Sequence, residues 1–298
     1  MELTLYSLND YLRLLEGEGL LAAPAPAGLD PARTVELVTC NSRECVPGTL
    51  FIRKGAHFKP EYLADAASWG AFAYVSDAPD PAAALPCIQV NDLRRAMALL
   101  ALRYYNDPSR DLSVIGITGT KGKSSTAYYV KAILDRCLAP AGKRCGVISS
   151  IDTYDGAEEF ESHLTTPEPL ELERHFAHAL ETGIPLLTME VSSQALKYDR
   201  VLGVEFAVGC FLNIGYDHIS PIEHPDFEDY FQSKLKIFDQ CKVACVNLDS
   251  DRKEDVLNAA QKAPRVITFS QTDPDAVVYG SEVRKSGGDI LFKVCTPR

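Results

Sequence analysis

The stretch VIGITGTKGKSSTAYYV, Val114 to Val130, decides the fold. Its first part, Val114-Ile115-Gly116-Ile117, is a short apolar run rich in β-branched residues, and its last part reads as the opening of a helix. Between them stand Gly119, Thr120, Lys121, Gly122, Lys123, Ser124 and Ser125. Small residues here free backbone amides to wrap an anion, and a helix start adds its positive end. A lysine then neutralises charge, and a hydroxyl can hold Mg²⁺. The general G-x-x-x-x-G-K-[ST] pattern is not met, because Ile117 stands where its first glycine belongs. The form T-G-T-x-G-K-S, set between a strand and a helix, still points to a loop that binds nucleotide phosphates.

Outward from this loop, the residues after Ser113 alternate buried strands with helices. Expected strands are Val114 to Thr118, Gly146 to Ser149, Pro185 to Val191, Phe206 to Leu212, Val243 to Asn247 and Val266 to Phe269. Expected helices run from Lys123 to Cys137, Leu170 to Thr182 and Asp226 to Gln240. Near-continuous apolar strands covered by helices on both faces predict a doubly wound, mostly parallel α/β sheet, with ligands beyond the carboxyl ends of its strands. Val277 to Val283 and Ile290 to Val294 flank Lys-Ser-Gly-Gly-Asp, the pattern of a hairpin. The chain then stops at Cys295-Thr-Pro-Arg298, so a piece of a longer protein is expected. Leu186 to Glu190 is an apolar strand ending in a carboxylate, and Glu190 fits the metal-organising acid that a phosphate loop requires.

The first third predicts a small α/β domain of its own: strands at Thr49 to Ile52 and Ala71 to Val75, helices at Pro60 to Trp69 and Asp92 to Tyr104. The polar, proline-containing segment Asn106 to Leu112 marks the boundary, which gives domains 1–108 and 109–298. At 298 residues, 46% of them apolar, two cored domains are the expectation. No apolar run is long enough to span a bilayer, and the N-terminus carries acids where a signal peptide carries Lys or Arg. The expectation is a soluble cytoplasmic protein without membrane insertion. Nine scattered cysteines with no C-x-x-C pair read as reduced thiols. A formal net charge of -11 argues against a broad nucleic-acid surface, so any polyanion must bind locally.

Gly116 to Ser125, Met189 to Leu196 and Asn213 to His218 together resemble the Mur ligases of peptidoglycan synthesis, most closely the MurE type, which extends UDP-N-acetylmuramoyl-L-alanyl-D-glutamate. Cys40-Asn41-Ser42-Arg43 with Val46 to Ile52 is similar to the family's uridine-binding pattern, and His163 to Glu168 to its substrate-binding threonine loop. The resemblance covers nearly the whole chain. It implies ATP as cofactor, held by Lys123 and the loop residues Gly119 to Ser125, and two Mg²⁺ ions held by Ser124, Glu190, His218 and a carbamylated Lys234. It implies substrate contacts from Ser42, Arg43, Thr165, Thr166, Ser192 and Arg200. A simple salt bridge accounts for Arg200 equally well, and Lys234 reads alternatively as an ordinary lysine on a helix surface.

The implied reaction joins a diamino acid, lysine or meso-diaminopimelate, to the UDP-N-acetylmuramoyl dipeptide through an acyl phosphate, in a monomeric enzyme. Three positions depart from the family pattern: Asn41 for Asp, Lys121 for Asn, and Gln194 for His. The family's C-terminal domain has no counterpart here, so low turnover is expected. Two other readings stand beside this one, a folylpolyglutamate synthase-like ligase and a non-catalytic binder of the UDP-muramoyl peptide. Ser42-Arg43 and Thr165-Thr166 speak against the first.

Overall fold

The computed structural model describes residues 4–55 and 58–296. Of the terminal segment noted above, Pro297 and Arg298 lie outside the described residues. The chain forms two compact units: Met1–Pro108 with Glu168–Ala177 and Tyr198–Gly203, and Ser109–Pro167 with His178–Lys197 and Val204–Arg298.

The first unit holds α1 (Leu8–Gly17), β1 (Leu37–Thr39), β2 (Thr49–Ile52), α2 (Glu61–Ser68), β3 (Ala71–Ser76), β4 (Cys87–Gln89) and α3 (Leu93–Tyr105). Its four strands pair in parallel in the order β1-β2-β3-β4. Side chains alternate across a strand, so Leu50, Ile52, Ala73 and Val75 enter the core shared with Leu8, Tyr11, Leu100 and Tyr104. Phe51 and Tyr74 face Leu63 and Ala66 on the other side. Helix starts are secured locally: Ser7 and Asp10 form a reciprocal capping box on α1, and the Asp92 side chain accepts from Arg95 N at the start of α3.

The second unit begins with β5 (Ser113–Thr118) and α4 (Lys123–Leu138), followed by β6 (Gly146–Ile148), β7 (Asp152–Tyr154), β8 (Glu159–Glu161) and α5 (Pro169–Glu181), whose last residues belong to this unit. Then come β9 (Leu186–Glu190), α6 (Ser193–Lys197), β10 (Phe206–Phe211), α7 (Phe227–Leu235), β11 (Cys241–Asn247), α8 (Lys253–Ala260), β12 (Arg265–Ser270), β13 (Val278–Ser286) and β14 (Asp289–Cys295). One ten-stranded sheet runs β14-β13-β12-β11-β10-β5-β9-β6-β7-β8. It is parallel from β13 through β6, and the expected hairpin closes one edge as β13-β14. At the other edge, β7 and β8 add an antiparallel pair the sequence reading did not include. The short α6 and α8 were also absent from it.

The sheet order places β5 between β9 and β10, so the carboxyl ends of three strands meet. Register aligns Ile117 with Glu190 and Thr118 with Phe211. Gly116 makes this central packing possible: a Cβ there would lie 2.8 Å from the ring of Phe206. All nine cysteines are free thiols, and no described helix is long and apolar enough to cross a membrane.

Candidate active site

The loop from Gly119 to Gly122 leaves β5 and turns directly into α4. Gly122 occupies the N-cap with φ of 84°, left-handed backbone that glycine adopts without strain, and no side chain caps the helix. The other long helices of the chain include several that carry Ser or Asp caps. Here the first amides of α4 are not engaged by a cap, which is the arrangement an anion requires. A Cβ on Gly119 would stand 3.0 Å from Leu212 Cβ and 3.4 Å from Asn213 N, so the loop is built against the end of β10.

Asn213 fixes that contact. Its Oδ1 accepts from Thr120 N (3.0 Å) and Lys121 N (2.9 Å), and its Nδ2 donates to Lys121 O (3.0 Å). Thr120 Oγ1 accepts from Gly215 N at 2.9 Å and from the Tyr230 hydroxyl at 3.1 Å. Lys121, largely exposed, pairs with Asp217 at 2.7 Å and holds that carboxyl below its ordinary pKa.

Two lysines converge on one carbonyl. Lys123 Nζ donates to Gly119 O (3.1 Å) and Thr120 O (3.4 Å), while Lys234 Nζ donates to Gly119 O (3.0 Å) from α7. Lys234 is 1% exposed. Burial, reinforced by the Lys123 charge, pulls its pKa down to about 7. Burial also lowers the pKa of Lys123. The Lys234 ammonium sits 4.6 Å from the centre of the Tyr230 ring, an additional stabilisation of its charged form.

Oxygen donors gather beside the loop. Buried Glu190 receives hydrogen bonds through Oε1 from Ser150 N (2.8 Å) and Ser150 Oγ (3.0 Å), and Ser150 Oγ lies 3.2 Å from Ser124 Oγ. Thr166 Oγ1 donates to Glu190 O (2.9 Å) and accepts from Ser192 N (3.0 Å), while Ser192 Oγ accepts from Ala195 N at the start of α6. The structure therefore joins Ser124, Glu190, Thr166 and Ser192 in one network, with Thr165 half-buried and Ser125 exposed alongside. His218 is held elsewhere: its Nδ1 lies 3.1 Å from Glu223 Oε1, in left-handed backbone with φ of 57°.

The remaining expected contacts belong to the first unit. Ser42 is buried in a single turn whose start is capped by Asn41, which accepts from Arg43 N at 3.2 Å, and Arg43 is exposed. Arg200 forms the salt bridge that its sequence context allowed, 2.9 Å from Glu168, and Lys54 meets the same carboxylate at 2.7 Å. Sequence reasoning did not single out Ser150, Glu223, His224 or the bracing role of Asn213. The Asn-x-x-x-Asp-His run offered a signal for the last, since a polar residue directly after a buried strand sits at the sheet's carboxyl edge.

A model of the Mur ligase middle domain matches residues 117–298. A UDP-N-acetylmuramyl-tripeptide synthetase of Lactobacillus delbrueckii subsp. bulgaricus is 39% identical over 276 residues, 91% of this chain and 51% of the relative. A UDP-N-acetylmuramoyl-L-alanyl-D-glutamate--L-lysine ligase of Enterococcus faecalis is 42% identical over 245 residues, 82% and 48% of the two chains. This chain spans about half the length of the curated relatives it matches. The solved structure of a UDP-N-acetylmuramoyl-L-alanyl-D-glutamate--2,6-diaminopimelate ligase shares the fold with a TM-score of 0.77 at 21% identity, covering 98% of this chain and 58% of that one. With the matched pattern running from the end of β5 through the whole parallel sheet, this chain belongs to the Mur ligase family.

Proposed function

We propose that the chain is the nucleotide-binding and UDP-muramoyl-peptide-binding part of an ATP-dependent cytoplasmic ligase. The reaction adds a diamino acid to UDP-N-acetylmuramoyl-L-Ala-D-Glu through an acyl phosphate. The observation that carries this reading is the uncapped start of α4, with Lys123 and the Ser124–Ser150–Glu190 oxygens grouped beside it.

Amide formation in water needs an activated acyl group. The D-glutamate carboxylate attacks the γ-phosphorus of ATP and ADP departs; the amine then displaces phosphate from the acyl phosphate. Both partners in the first step are anions. The loop amides and Lys123 hold the phosphates in line and reduce the repulsion, and Thr166 and Ser192 offer hydroxyl contacts to the acceptor peptide. Ser42, Arg43 and Arg200 supply the anion-binding contacts of the first unit, the planar guanidinium suiting phosphate or carboxylate.

The donor set fits Mg²⁺, a hard cation that takes oxygen ligands: a hydroxyl from Ser124 and a buried carboxylate from Glu190 lie together. His218 would add a nitrogen. When bound, the metal neutralises phosphate charge between the two reactants. Lys234 as an ammonium cannot be a ligand. A pKa near 7 leaves a neutral amine available, and its lone pair can form an N–C bond to CO₂ with loss of a proton, giving a carbamate with two oxygen donors.

Titration calorimetry with Mg²⁺ and a non-hydrolysable ATP analogue tests the reading. Lys123→Ala is expected to weaken binding by about tenfold or more, equivalent to about 1.4 kcal/mol. Equal affinities in the two proteins would contradict it.

A further inference from the structure

We propose that Glu223 is a positioning residue that presents His218 to a divalent cation, with Gln194 fixing Glu223 in turn; this rests on the metal-binding role assigned to His218 above. A carboxylate only accepts hydrogen bonds, so the His218 nitrogen facing it, Nδ1 at 3.1 Å from Glu223 Oε1, carries the proton. In the neutral ring the lone pair is then on Nε2, the nitrogen left to bind a metal.

The carboxylate is held on several sides. Gln194 Nε2 donates to the same Oε1 at 3.2 Å, Ser220 Oγ donates to Oε2 at 3.3 Å, and Lys197 Nζ donates to the Glu223 backbone oxygen at 3.1 Å. The turn that carries Glu223 back toward His218 is closed by Glu223 N to Ser220 O (3.2 Å) and Ser220 N to His224 O (3.0 Å). His224, fully buried, anchors it: Nε2 lies 3.0 Å from Ser193 Oγ and Nδ1 2.6 Å from Asp229 Oδ2. An exposed His–Glu pair by itself contributes little to stability. Five anchoring contacts on one acid and its turn are more than such a pair needs, and they give the imidazole one orientation and one tautomer. Gln194 thereby has a role at a position where the family pattern has histidine: it orients an acid.

Two readouts test this on the whole chain. Mn²⁺ is titrated in the presence of a non-hydrolysable ATP analogue, with free ion read by electron paramagnetic resonance. Glu223→Ala is expected to weaken a Mn²⁺ site by roughly 10- to 100-fold, the usual effect of losing a ligand's hydrogen-bond partner, His218→Ala by at least as much, and Glu223→Gln and Gln194→Ala by less. Weakening by His218→Ala together with wild-type affinity in Glu223→Ala overturns the positioning role alone. Wild-type affinity in His218→Ala overturns the metal assignment beneath it. Nitrogen-15 histidine spectra of the wild-type chain need no variant: His218 protonated on Nδ1 supports the proposal, and His218 protonated on Nε2 refutes it.

Discussion

Lys234→Met replaces the most deeply buried lysine of the site by an apolar chain of similar length, and its effect on stability should depend on pH in one direction. The folded-state pKa is about 7 and the ordinary value is 10.5. Between them the unfolded chain holds the proton while the folded chain has released it, so wild-type stability rises with pH through this window. Each unit is worth up to about 1.4 kcal/mol, and the full window on the order of 5 kcal/mol as an upper bound. Methionine does not titrate. It loses the bond from Nζ to Gly119 O, worth roughly 1 kcal/mol, although Lys123 still donates to that carbonyl. Lys234→Met should therefore be the more stable protein near neutral pH, by several kcal/mol at most, and lose this advantage toward pH of about 10. Urea unfolding of both proteins in CO₂-free buffer across the window measures the difference, in which thiols and tyrosines common to both cancel. A difference that stays constant with pH would refute the buried, depressed lysine. Bicarbonate should then stabilise the wild type alone.

Three further substitutions have definite expected outcomes. Asn213→Ala removes the three side-chain hydrogen bonds that hold Thr120 and Lys121 and should cost about 1–3 kcal/mol in urea unfolding while weakening nucleotide binding. Gly119→Ala places a Cβ 3.0 Å from Leu212 Cβ and displaces the loop; calorimetry should show weaker nucleotide binding by about tenfold, with the secondary structure retained by circular dichroism. Glu173 is fully buried, and burial, aided by Asp107, pushes its pKa up to about 8. Because the folded value is raised from 4.5, wild-type stability falls as pH rises from there to about 8, so Glu173→Gln should gain on the wild type across that window by up to about 1.4 kcal/mol per unit.

The centre of this fold was legible because its signals are local. The apolar run of β5, the glycines and lysine after it, and the amphipathic helix that follows are contiguous, and six parallel strands announced themselves as apolar runs. β7 and β8 did not: each has three residues, with one apolar side chain between acids in Glu159-Phe160-Glu161, too little for a period of two to register. α6 is five residues long and owes its start to Ser192. The bracing of Thr120 and Lys121 by Asn213 spans more than ninety positions and exists only because β5 and β10 are neighbours in the sheet. Glu223 stands in a mixed segment, Ile219-Ser-Pro-Ile-Glu223, with no periodicity, and left-handed backbone at His218 together with the Ser220–His224 turn brings it back to the imidazole. Lys234 was open to a helix-surface reading, yet its spacing three after Phe231 and four after Tyr230 already put it on the buried face of α7.

On this reading the β5–α4 loop cradles the nucleotide's triphosphate. A crystal grown with Mg²⁺ and a non-hydrolysable ATP analogue measures it directly. Phosphate oxygens are expected within hydrogen-bonding distance of the amides opening α4, with Lys123 Nζ moved from Gly119 O onto the phosphates and a cation touching Ser124 and Glu190. A triphosphate bound away from this corner, with Lys123 still on the loop carbonyls, would contradict it.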